Sequence, residues 1–260
     1  MTRLSSAWLL LGLVSCLTMA QPPLKILSHE LIPISWQTEG RSQGAIYDLV
    51  QATQLELGVA YPAQFLPFKR GLYLTQTNPG YLFFPCLRIP EREAKFKWVG
   101  PILKSRGVLY QLANQPLVQS LEELYALRQI GVLLGSSSDD YLTSLGLTNL
   151  HRLHSREESL HLLDMQRIDG MVMVDTALPP LMKKLQIPAN RITASPIELY
   201  HADYYLAFSL STPDEQIQLW QQTLDNVLKE QGAEIFARYH LPPPAVNPVE
   251  RQRVSLGEKH

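Results

Sequence analysis

Short apolar runs alternate with amphipathic stretches along nearly the whole chain, and this alternation constrains the fold more than any other feature. Short apolar runs suit strands buried on both faces, while the stretches between them carry apolar residues at helical spacing. The pattern predicts an α/β fold. Residues 24–28 read as a first strand. Ile46, Leu49, Val50, Thr53 and Leu57 mark one helical face that Gly58 closes as a C-terminal cap. Residues 61–66 read as a second strand, 68–75 as a short helix and 81–84 as a third strand. Residues 97–99 and 107–112 read as two strands with a turn at Gly100-Pro101 before the second, and 130–134 and 170–174 as buried strands.

Three patterns of the form S/T-x-x-E predict helix starts, at residues 120–123, 155–158 and 212–215. In the third, Pro213 takes the first helical position, where its missing N–H costs nothing. That helix is expected to run to about Gln231 and stop at Gly232, followed by a short helix over 233–239. Beyond His240 lie three prolines and a polar tail. Its apolar content is too low to pack, so 242–260 is expected to be disordered.

The first twenty residues read as a targeting segment. Arg3 supplies the positive start, residues 7–17 a short apolar region below the roughly 20 residues of a spanning helix, and Thr18-Met19-Ala20 a cleavage site before Gln21. A competing reading takes Leu13-Val14-Ser15-Cys16 as a lipobox, with Cys16 lipidated. Soluble release into the periplasm is preferred, because Leu24 already starts a strand and leaves no polar tether. After cleavage at Gln21 only Cys86 remains, so no internal disulfide can form. Within its apolar run Cys86 reads as a buried small hydrophobe. The charge balance, 23 basic against 24 acidic side chains, lacks the basic excess that nucleic-acid binding requires.

Residues 87–110, LRIPEREAKFKWVGPILKSRGVLY, hold an arginine between two acids, Arg92 between Glu91 and Glu93, and then an apolar strand, a Gly-Pro and a second apolar strand. This order resembles the first lobe of the periplasmic solute-binding proteins of the amino-acid type, solute-binding protein family 3. The likeness continues through Gly44-Ala45-Ile46-Tyr47-Asp48-Leu49, Phe68-Lys69-Arg70, IGVLLGSSSDDY at 130–141, Arg167-Ile168-Asp169-Gly170 and residues 205–239. It implies a two-lobed fold of type II with two hinge crossovers. Lobe one would take 21–104 and 203–241, and lobe two 105–202. A small polar, carboxylate-bearing solute would be captured between the lobes for transport or sensing.

The resemblance places the ligand's carboxylate on Arg92. A guanidinium offers a planar donor fork and stays charged. The plainer reading pairs Arg92 with a neighbouring acid. Ser136 and Ser137 match a ligand loop at a helix N-terminus, where free N–H groups and the dipole favour anions, or they simply cap that helix with Asp140 nearby. Asp175 follows a strand end, where ligands of open sheets collect, and matches an acid that takes an amino group, or it caps the next helix. Phe68, and less well Trp36, stand as an aromatic surface for the ligand, with core packing as the ordinary alternative.

The sequence departs from the family pattern where Pro85, Cys86 and Leu87 replace small hydroxyl residues and Arg88 is added. A second arginine points to a more anionic ligand, or Arg88 faces solvent. The histidines His151, His154 and His161 lack zinc-protease spacing. There is no phosphate loop or nucleophile elbow, so no cofactor, no metal and no enzyme activity is expected. The runner-up readings are a sensory or protein-interaction module on the same fold, and a periplasmic enzyme of the cyclohexadienyl dehydratase kind. Expected partners are the small ligand and a membrane permease or sensor kinase, with the chain itself a monomer.

Overall fold

The computed structural model describes residues 24–244. The expected targeting segment, with Cys16, and the tail from residue 245 lie outside them. Strand β1 (Lys25–Ser28) is followed by a hairpin of β2 (Trp36–Thr38) and β3 (Arg41–Gln43). Then come α1 (Ala45–Glu56), β4 (Ala63–Phe65), α2 (Phe68–Thr77), β5 (Tyr81–Leu87) and the long β6 (Lys97–Leu112). After it follow β7 (Ile130–Leu133), α3 (Ser137–Ser144), β8 (Leu150–Leu153), α4 (Arg156–Asp164), β9 (Gly170–Val174), α5 (Leu178–Lys184) and β10 (Ile192–Ala194). The last elements are β11 (Tyr200–Phe208), α6 (Asp214–Glu230) and α7 (Gly232–Arg238).

The main sheet runs β4-β1-β5-β11-β6-β9-β7-β8, with β10 on β6. Strands β1, β4 and β5 form one parallel trio, and β7, β8 and β9 another. Between them β6 and β11 pair antiparallel, from Lys97 opposite Phe208 to Gly107 opposite Tyr200. The early part of this ladder joins β5, and the late part of β6 joins β9 and β10. Two strands therefore carry the chain through both halves. Within the trios β5 and β9 are buried on both faces, which is why they read as unbroken apolar runs.

Two bulges shape the segment around Arg92. Cys86 pairs with Tyr205 and Phe83 with Ala207, so Phe84 and Pro85 together face Leu206. The extra residue flips the alternation of side chains. Leu82 and Phe84 enter the large core, whereas Phe83 and then Cys86 enter a smaller one with Leu27 and Phe96. Along β6, Leu103 pairs with Tyr204 and Val99 with Leu206, leaving residues 100–102 to face Tyr205. The expected turn at Gly100-Pro101 is thus a bulge inside one strand of 16 residues. Gly100 takes φ +147, and a Cβ there would sit 2.7 Å from the Tyr205 ring.

Other expectations shift as well. The pattern at 120–123 opens only a 3₁₀ turn, Glu122–Ala126, because Asn149 Nδ2 donates to the carbonyls of Leu124 (2.8 Å) and Leu127 (2.7 Å). At 212–215 Pro213 is itself the cap residue of α6, and Thr212 makes no side-chain cap. Ser155 caps α4 as expected, accepting from the Glu158 N–H at 3.1 Å. Cys86 is fully buried. The chain stays packed past His240, since Pro244 is buried and a Cβ on Gly232 would lie 2.9 Å from it. Among the described residues no helix is long and apolar enough to cross a membrane.

Gly107, in β6 opposite Tyr200, leaves room for that ring to lie flat on the strand. A Cβ at 107 would come within 2.0 Å of Tyr200 Cε1. Gly107→Ala is expected to expel the ring and destabilise the fold by about 1–3 kcal/mol, read as a lowered urea midpoint.

Candidate functional site

Both parallel trios direct their C-terminal ends toward one cavity of about 630 Å³. Its walls come from strand ends and the loops or helices that follow them: His29 after β1, residues 65–68 from β4 into α2, Leu133 at the end of β7, Ser155 and Arg156 after β8, and Ala177 and Leu181 after β9. Such a crevice outside the carboxyl ends of strands is where open α/β sheets place ligands. The interior is largely apolar, with His29 and Phe68 edge to face at 4.8 Å. Glu30, Gln37, His154, Glu157 and Lys184 line it with exposed or part-exposed side chains.

His29 is 3% exposed, and its Nε2 lies 3.1 Å from the Pro85 carbonyl, which the β5 bulge turns toward it. Burial, and then the positive charge of Arg156, hold its pKa down to about 3. His29 is therefore neutral at neutral pH and adds no charge to the cavity. Arg156 is half-buried and lines the same space. Its Nη1 donates to the backbone carbonyl of Glu30 at 3.2 Å, and among the described residues it makes no ion pair. Burial lowers its pKa, opposed by Tyr204, Glu157 and Tyr200. Partial burial likewise raises the Glu30 carboxyl, opposed by the N–H of Gln37, which donates to it at 3.1 Å.

Arg92 sits elsewhere. It is 1% exposed and does not line the cavity. Its Nε and Nη2 both donate to Asp140 Oδ2, at 3.1 and 2.8 Å, and Nη2 also to the Gly135 carbonyl at 3.1 Å. The guanidinium lies 5.1 Å from the centre of the Phe68 ring. Asp140 belongs to α3, so this ion pair ties the segment after β5 to the second trio. Phe68 thus has one face on Arg92 and also lines the cavity.

The remaining sequence candidates are dispersed. Ser136 caps α3, accepting from the Asp139 N–H at 3.2 Å. Ser137 and Ser138 share the Tyr200 hydroxyl at 3.0 and 2.9 Å. Ser136, Ser137 and Arg156 all line a second, small void of about 20 Å³, about the room of one water. Asp175 accepts from Ser105 at 3.1 Å and lies 3.4 Å from Arg106, outside the cavity. Arg88 forms a two-pronged pair with Glu93 and stacks on Tyr205 at 5.2 Å. Trp36 packs edge-on against Tyr239. The sequence by itself does not mark Arg156 or His29 as site residues, because Arg156 there belongs to a capping box. One signal was present: a cation at the first position of a helix opposes the dipole.

No family model matches the chain, and no curated protein matches it in sequence. The fold has clear likenesses among solved structures. The arginine-, lysine-, histidine-binding protein ArtJ from Geobacillus stearothermophilus is 15% identical, with a TM-score of 0.75 over 87% of this chain and 99% of that one. The GluR0 ligand-binding core from Nostoc punctiforme, solved with L-glutamate, is 17% identical, with a TM-score of 0.73 over 85% and 100%. A histidine kinase sensor domain with similarity to periplasmic binding proteins is 13% identical, with a TM-score of 0.75 over 83% and 95%. The chain therefore has the two-lobed periplasmic-binding-protein fold, in which β6 and β11 are the two crossovers.

Two expectations follow. Asp140→Ala strands the buried Arg92 charge and should cost about 3 kcal/mol, measured by urea unfolding. His29 has a folded pKa below its unfolded value of 6.5, so the unfolded chain binds the extra proton. The stability due to its neutral form is complete above about pH 6.5 and is lost as the pH falls toward 3. His29→Gln should flatten the acid limb of a stability–pH curve in that window, where one such group contributes a slope of at most about 1.4 kcal/mol per pH unit.

Proposed function

We propose that the chain is an extracytoplasmic solute-binding protein that captures a small carboxylate-bearing organic solute between its two lobes, for uptake by a membrane permease or for sensing. The observation that carries this reading is the cavity itself, walled by strand ends and following residues from both trios and joined across by only two strands. Its volume falls in the range of small-molecule sites, and its apolar walls with a few polar groups match their usual chemistry. The division into lobes at 21–104 with 203–241, and 105–202, puts the hinge where β6 and β11 run side by side between the trios. A ligand touching both walls favours the closed arrangement by its differential affinity for it.

Transport is favoured by the likeness to an ABC uptake transporter substrate binding protein from Streptococcus pneumoniae, 14% identical with a TM-score of 0.72 over 83% of this chain and 91% of that one, and sensing by the likeness to the histidine kinase sensor domain. The targeting segment at the start of the sequence supports placement outside the cytoplasm. Enzyme chemistry has less support, because a dehydratase needs an acid or base aimed at a leaving group. Around this cavity Glu157 is joined to Lys184 at 2.9 Å, and His29 is tied to a backbone carbonyl.

A thermal-shift panel of amino acids, dicarboxylates, monocarboxylates, polyamines and phosphorylated metabolites tests the reading. A true ligand at 100 times its Kd should add about 2.7 kcal/mol and shrink the radius of gyration in small-angle scattering, without being consumed. A panel in which nothing raises Tm would remove the solute-binding reading and favour a protein-interaction role.

A further inference from the structure

The acids around the cleft are almost all committed to partners within the protein. Asp140 holds Arg92, Asp139 holds Arg152 at 2.8 Å, Asp175 faces Arg106 and Ser105, and Glu157 holds Lys184. Arg92 in turn has no donor directed at the cavity, for its partners are Asp140, the Gly135 carbonyl and, at 3.9 Å, Cys86 Sγ. Arg156 is the opposite case, a guanidinium lining the cavity whose one hydrogen-bond partner among the described residues is a backbone carbonyl.

We propose that Asp140 acts as a tethered carboxylate that occupies Arg92, and that the anionic group of the ligand binds Arg156 instead, with its apolar body against Phe68 and His29. This rests on the solute-binding reading and names the ligand class: an organic carboxylate with an apolar or aromatic body and no amino group beside the carboxylate.

The charges set that class. An amino group next to the carboxylate brings a second charge to the same spot and needs an acid there. Glu157, adjacent in sequence to Arg156, is already joined to Lys184, and Asp175 lies outside the cavity. Glu30, the remaining acid of the lining, is in no ion pair among the described residues, but its side chain is exposed and water screens its charge, so it holds an ammonium weakly. A plain carboxylate makes no such demand. It pairs with a guanidinium fork that no protein acid fills, beside the start of α4, where a negative charge relieves the conflict between Arg156 and the helix dipole. Apolar walls and a neutral imidazole then favour a carbon body over a polar one.

The test uses the whole protein and matched probes: hexanoate, norleucine and pentylamine, and 3-phenylpropanoate, phenylalanine and phenethylamine, titrated by calorimetry. The carboxylates should bind best, the amines not at all. Arg156→Gln should weaken carboxylate binding at least tenfold, while Asp140→Asn leaves it within about threefold. Arg156→Lys, which keeps the charge, should restore part of the affinity and so separates loss of the anchor from loss of the fold. Tenfold tighter binding of an amino acid than of its matched carboxylate would overturn the proposal. So would an Arg156→Gln protein that binds normally, or an Asp140→Asn protein that gains tenfold because its freed Arg92 now takes the ligand. If a solute of another class raises Tm while no carboxylate binds, the proposal falls and the solute-binding reading stands. If nothing binds from these probes or the wider panel, both fall.

Discussion

The ladder between β6 and β11 is the constraint on which the rest of the architecture depends. These two strands lie between the parallel trios, so every element of one half is positioned relative to the other through them and through contacts across the cleft. A continuous antiparallel ladder resists shear along its length but can twist about the few residues between the trios. Tyr200 and Tyr204, both buried on β11, sit at that place. The Tyr200 hydroxyl reaches the α3 serines and its ring covers Gly107. The crossover is therefore packed directly onto the N-terminal end of a helix from the second half.

The Arg92–Asp140 pair is a further tie across the cleft, beside the bond from Arg156 to the Glu30 carbonyl. Removing a guanidinium almost wholly from water is costly, and the cost is offset only where its donors are filled. Here a carboxylate and a backbone carbonyl from one loop and helix fill them, and the Phe68 ring covers one face. The same arrangement that satisfies Arg92 removes it from the cavity. Phe68 joins the two regions, because it contacts Arg92 and also helps to wall the cavity beside His29.

Neutral groups and paired charges thus dominate a cleft that the sequence shows as rich in ionisable residues. Arg88 illustrates the point. It adds no charge to the cavity, since Glu93 and two aromatic rings hold it at the surface. What remains is a mainly apolar cavity lined by the Arg156 guanidinium and the Glu30 carboxylate, neither in an ion pair among the described residues, and the selectivity of such a space comes from which charges are left unpaired.

By itself the sequence determined the α/β alternation, the positions of β1, β7, β9, α1, α4 and α6, and the burial of Cys86, because hydrophobic periodicity and capping residues act within one element at a time. It could not show that Gly100-Pro101 is a bulge inside a single strand, since that depends on Tyr205 of β11 lying opposite. Nor could it show that the pattern at 120–123 stops after one turn, since Asn149, distant in sequence, takes the carbonyls. The site divides in the same way. Phe68 was legible as an aromatic at a helix start beside a strand end. The partner of Arg92 and the unpaired state of Arg156 were decided by tertiary structure alone, because an ion pair forms with whichever charge the fold brings within reach, and Asp140 lies 48 positions away along the chain.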